Sequence, residues 1–184
     1  MALDATKVVV GSTGGVYYAP TGTTLPTVAT STLDALFLAN DVGYLSEAGI
    51  TQSISNETTS IKAWQNAAEV RVINTGSSVQ YQMELMEVNA NALEAYYGNY
   101  TALADGASVA ITGSALSRLS WVLHVIDDAK KIRLVVPDGQ ITERGDTQFV
   151  NGEAYVMPIT ITAYPDVSGN NAYMYIDESV LTSS

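Results

Sequence analysis

His124 is the only histidine in the chain, so proton transfer by an imidazole near neutral pH would have to pass through it. It stands inside the apolar run Trp121-Val122-Leu123-His124-Val125-Ile126, where a packed strand histidine explains it better than a base or a ligand. Serine and threonine are abundant, yet a serine triad would need His124, and no Gly-x-Ser-x-Gly elbow is present. Asp127 and Asp128 are adjacent carboxylates; Asp127-Asp128-Ala129-Lys130 reads as a hairpin turn and not as an acid/base pair. No Gly-x-x-x-x-Gly-Lys loop or Gly-x-Gly-x-x-Gly run offers a phosphate cradle. With no cysteine, thiolate metal sites and disulfides are excluded. Arg144-Gly145-Asp146 matches an integrin-binding triplet, and a turn before the next strand accounts for it equally. Asn56-Glu57-Thr58 and Asn99-Tyr100-Thr101 fit the glycosylation sequon, but no signal-peptide pattern precedes them. Eleven tyrosines could build a carbohydrate platform or simply fill strand positions by propensity. The expectation is a protein that is not an enzyme, with no cofactor and no metal.

The elements that carry these residues are mostly strands. Val79-Gln80-Tyr81-Gln82-Met83-Glu84-Leu85 alternates strictly, with Val79, Tyr81, Met83 and Leu85 on one face. Arg118–Ile126, Ile132–Val136 and Tyr155–Tyr164 read as further strands, with Pro158 suggesting an edge or a bulge in the last. Shorter candidates are Thr51–Asn56, Glu69–Asn74, Ser108–Thr112 and Ala172–Ile176. One helix interrupts them: Asn89 or Asn91 can cap it, Ala92, Leu93, Ala95, Tyr96 and Tyr97 form its stripe, and Gly98 can end it. The fold class expected is mainly β, a β-sandwich or barrel with one short flanking α-helix and a long N-terminal loop or arm. Residues 1–49 are read as that arm, with short strands at Val8–Val10 and Val16–Tyr18 broken by Gly11-Ser12-Thr13-Gly14-Gly15. Residues 50–184 form the β domain.

The 184 residues suit one domain. Nineteen acidic residues against eight basic give a formal charge of −11, which repels nucleic acid backbones and anionic membranes. Only 15% of residues are charged while 47% are apolar, a balance that suggests surface buried against partners. The segment from Pro20 to Gly49 carries Leu25, Val28, Leu33, Leu36, Phe37 and Leu38, and a solvated linker would have no use for them. It reads as a docking loop. No stretch is long enough to span a membrane.

Three segments resemble the major tail-tube proteins of long-tailed (siphovirus-type) bacteriophages. They are Gly43–Thr51 with Glu57–Gln65, Asn89–Gly98 after a long alternating strand, and Ile141–Asp146 leading to Tyr155–Asp166. In order and spacing they cover roughly residues 43 to 177. The resemblance implies a structural virion subunit of the tail, assembled in the host cytoplasm. It implies hexameric rings stacked through a long loop and terminal arms around a tape-measure protein, with genomic DNA passing through the channel. The loop residues Leu25, Val28, Leu33, Leu36, Phe37 and Leu38 would then touch the next ring. A water-filled bore needs a polar sheet face, and Gln80, Gln82, Glu84, Thr160 and Thr162 are candidates; the same residues could equally meet outer solvent. The alternative is a β-sandwich binding module, either a capsid decoration or an adhesin-like carbohydrate-binding domain, which would remain a monomer or small oligomer.

Overall fold

A computed structural model describes residues 7–177. Nine strands and two helices lie among them: β1 (Thr13–Pro20), α1 (Ala35–Ala39), β2 (Leu45–Lys62), β3 (Glu69–Leu85), α2 (Ala90–Tyr97), β4 (Tyr100–Leu103), β5 (Gly106–Val109), β6 (Leu119–Asp127), β7 (Lys130–Arg144), β8 (Met157–Tyr164) and β9 (Tyr173–Ile176). Seven strands form one antiparallel sheet in the order β1-β6-β7-β8-β3-β2, with β9 also paired to β7; β4 and β5 make a separate hairpin. The fold is mainly β, as expected. The sheet is open, with β1 and β2 at its two ends.

The strand β7 is the hinge of this topology. Its first half pairs with β6 on one side and β9 on the other; from Asp138 onward β8 takes the place of β9, while β6 stays paired as far as Gly139. Pro158 does not mark an edge, because β8 lies between β3 and β7. It is the second residue of its strand and faces Gly145, while the irregularity lies further along, between Ile141 and Glu143 of β7 and opposite Ile161 and Thr160.

The N-terminal segment departs from the expected arm. β1 pairs with β6 along its full length, from Thr13↔Ile126 to Pro20↔Leu119, and Val16 and Ala19 are fully buried. The glycine run does not break this strand. A Cβ at Gly14 would collide with the His124 carbonyl, so glycine is what lets β1 lie against β6 there. A second helix, α1, also went unanticipated. Asp34 caps it by accepting from the Leu36 N–H at 3.0 Å.

One face of the sheet carries the main core. Tyr81, Met83 and Leu85 of β3 meet Met157, Ile159 and Ile161 of β8, and α2 covers them with Ala92, Ala95 and Tyr96. Helix α2 starts and stops where its sequence says it should: Asn89 accepts from the Ala92 N–H at 2.8 Å, and Gly98 closes it in the left-handed region at φ 72°. Among the described residues, the second buried cluster covers the opposite face at the β1–β6 end. There Leu33 and Phe37 pack on Ala19, Val122 and Val135.

Candidate functional site: an open polar face and a projecting hairpin

Strand alternation puts Gln80, Gln82 and Glu84 on the face opposite the core, and the register does the rest. Gln80 stands opposite Thr162, Gln82 opposite Thr160, and Glu84 opposite Pro158. All five polar candidates therefore share one patch. Thr162 binds it together, exchanging a 2.7 Å hydrogen bond with Thr142 of β7 and accepting from Gln80 Nε2 at 3.4 Å. Thr51 and Ser53 extend it onto β2 as partners of Gln82 and Gln80. Thr160 is buried beneath its neighbours, while Gln82 is exposed. A shallow depression with a water-accessible volume of about 610 Å³ lies at one end, between Ala48–Gly49 and Glu143–Gly145 and reaching Glu84. The patch is dominated by amides and hydroxyls, with Glu84 and Glu143 as its carboxylates.

The six apolar loop residues divide. Leu33 and Phe37 are buried in their own subunit, and Leu25 packs against the same cluster. Val28, Leu36 and Leu38 are about half exposed, at 50%, 49% and 54%. A polar clamp holds the loop as well. The guanidinium of Arg133, only 2% exposed, donates to the carbonyls of Val28 and Ser31, both at 2.9 Å, and to Ser31 Oγ at 3.0 Å. Its Nε and a terminal nitrogen also face His124 Nε2 at 3.3 Å. Burial lowers the His124 pKa below its ordinary value, and the cations Arg133 and Lys131 add to that, against a smaller opposing effect of the Ala29 carbonyl. The histidine is thus a structural group under the loop.

The sequence placed short strands at Thr51–Asn56 and Glu69–Asn74, but not the long hairpin that they belong to. β2 and β3 pair from Leu45↔Leu85 to Lys62↔Glu69, but β8 accompanies β3 only from Leu85 to Val79. Beyond that point the two strands, among the described residues, pair only with each other. Residues 55–62 of β2 and 69–78 of β3 project, roughly 25–30 Å at the usual rise. The tip turns through Asn66 and Ala67, both at positive φ. Ile61, Val70 and Val72 are exposed along the ribbon, and Trp64 near its tip is 97% exposed. The signal was present in the alternation of Glu69-Val70-Arg71-Val72-Ile73. Asn74-Thr75-Gly76 interrupts it, and the structure absorbs Thr75 as a bulge between Glu57↔Gly76 and Thr58↔Asn74.

The remaining chemical candidates have structural roles. Asp127 pairs with Lys130 across the turn and accepts from the Val10 N–H at 2.9 Å. Arg144 donates to the carbonyls of Tyr96, Thr112 and Ser114, while Gly145 is tied to Pro158 and Tyr96. The triplet at 144–146 is therefore fastened to α2 and β8 and is not displayed at a loop tip. Among the described residues, no group of three or more His, Asp or Glu is placed to hold a metal, and no helix is long and apolar enough to cross a membrane.

Comparison with known proteins agrees with this architecture. A chain of the anti-feeding prophage cap (AFP tube terminating cap) superimposes with a TM-score of 0.52 at 10% identity, covering 96% of this chain and 95% of that one. This is a likeness of fold. A chain of an extracellular contractile injection system, the PVC sheath-tube complex in its extended state, gives 0.48 at 8% identity over 96% and 100% of the two chains. An Hcp protein gives 0.30 at 10% identity over 88% and 96%. No curated protein sequence matches. The sequence model of the phage tail tube protein family matches residues 1–183, and the chain belongs to that family as a structural component of the virion tail.

Proposed function

We propose that copies of this chain close into hexameric rings, and that the rings stack through the projecting β2–β3 hairpin. The observation that carries this reading is the ribbon itself. A two-stranded hairpin without a third neighbour is marginal in water, and this one also exposes Ile61, Trp64, Val70 and Val72. A neighbouring copy supplies what it lacks. Of the six apolar residues singled out in the 20–49 segment, Val28, Leu36 and Leu38 are still available for contact, since Leu33 and Phe37 are used internally. The open face of Gln80, Gln82, Glu84, Thr160 and Thr162 would line the bore, around a tape-measure protein and later the DNA. Assembly takes place in the host cytoplasm, and no catalysis is involved.

The test is to replace residues 57–76 with a two-residue Asn-Gly turn. The expected product is a folded subunit, because neither core cluster includes a residue of that stretch. It should form no tubes under negative-stain microscopy, where the full chain forms tubes with an open bore. Full-length tubes from the shortened protein would overturn the assignment of the hairpin.

A further inference from the structure

We propose that His124 Nε2 is the contested atom of a proton-operated latch that fastens the Val28–Leu33 segment to the sheet. This nitrogen lies 3.3 Å from Arg133 Nε, 3.3 Å from a terminal nitrogen of the same guanidinium, and 3.1 Å from the carbonyl oxygen of Ala29. It cannot serve both sides at once. Unprotonated, it accepts from Arg133; protonated, it can only donate, toward Ala29, and then faces the Arg133 N–H groups donor to donor.

The surroundings make that exchange consequential. No carboxylate lies within ion-pair distance of Arg133 among the described residues, so its charge is satisfied by the neutral acceptors of the loop and by His124. The charged and titratable groups facing the pair are Tyr17 from β1 and Lys131 from β7, with Asp41 acting on Tyr17. None of these is an acid in contact with the imidazole. A second positive charge on His124 would meet Arg133 with no counter-ion between them. The loop side of the clamp is backbone carbonyls and one hydroxyl, with no charged side chain. Lifting it would bare Ala19, Val122 and Val135, which Leu33 and Phe37 cover.

The sign follows from the depressed His124 pKa. Burial, the first cause of that depression and larger than the opposing Ala29 effect, is relieved when the segment lifts, whereas Arg133 stays beside the ring, so docking is favoured fully above the undocked-state pKa. That preference is lost as pH falls from there through the docked-state value. Docking should weaken about tenfold for every pH unit separating the two titrations.

Because the chain has one histidine, its ring nitrogens can be followed by 15N NMR without ambiguity. At pH 7.5 the expected state is the neutral tautomer with the proton on Nδ1. Amide hydrogen exchange at residues 28–33, corrected for the intrinsic pH dependence, should speed up on going from pH 7.5 to 5. In His124→Gln, whose amide can accept from Arg133 and donate to Ala29 at any pH, that acceleration should vanish. A proton on Nε2 at pH 7.5, or equal pH dependence in wild type and His124→Gln, would overturn the latch. If the variant does not fold, the wild type alone decides: loop protection must fall with the same midpoint as the ring titration.

Discussion

At the scale of single residues, neighbours in sequence have opposite duties. Phe37 and Leu36 are adjacent apolar residues of α1, and both read as contact residues because composition cannot tell an inward from an outward side chain on so short a helix. In the fold Phe37 is fully buried against β6 and β7, while Leu36 is half exposed. Phe37→Ala should therefore cost about 3 kcal/mol of subunit stability through lost burial and a cavity. Leu36→Ala should leave the unfolding free energy, read by urea denaturation, within about 0.5 kcal/mol of wild type and weaken tube formation instead. If the two exchange effects, the loop is mounted the other way round. His124 was legible as a packed strand residue, and the hairpin turn already sets it opposite Arg133, nine positions on. The bonds from this pair to the carbonyls of Val28, Ala29 and Ser31 join residues about a hundred positions apart, and no local pattern records them.

At the scale of elements, what could be read was whatever depended on local rules. The caps of α2 at Asn89 and Gly98, the turn at Asp128–Ala129 and the alternation of β3 and β8 each follow from a few adjacent residues. The lengths of β2, β3 and β7 did not. Each is prolonged past a bulge, and the bulge sequence imitates a strand end. Strand β7 shows how such an element is held. Where it passes from β6 to β8, Gly139 lies beneath Trp121, and a Cβ there would stand 2.9 Å from Trp121 Cδ1, 3.0 Å from Val136 Cγ1 and 3.1 Å from Ile161 Cγ2. All three atoms belong to packed core side chains. Gly139→Ala should destabilise by about 1–3 kcal/mol through overpacking. Gly113→Ala is the control, since a Cβ at that position meets nothing within 4 Å. Chemical denaturation of both variants checks the pair, and equal midpoints would mean that the crossing has room to spare.

At the scale of the whole molecule, the open face concerns passage more than folding. Its residues were identifiable as a set, because a period of two separates the faces of a strand whatever the strand packs against. Which medium they meet was not, since that depends on neighbouring copies. If the patch lines the bore, Gln82→Lys together with Glu84→Lys should leave the subunit folded, because Gln82 is exposed and Glu84 is partly so. The tubes should assemble, yet bind DNA with a marked salt dependence through counterion release. Electrophoretic retention of DNA at low salt, abolished at high salt, would support that placement. No retention by assembled tubes would put the patch on the outside.

The unaccompanied stretch of β2 and β3 also bears on how growth would proceed in time. A segment that gains its missing neighbour only on meeting another copy contributes little to the free subunit, so two isolated subunits have little to gain from each other. An existing end, which offers several seats at once, repays the ordering cost immediately. Such a system has a nucleation barrier: subunits accumulate during a lag, then add to ends already present. Pre-formed seeds should then abolish the lag, and an initiator that presents the first complete set of seats should shorten it.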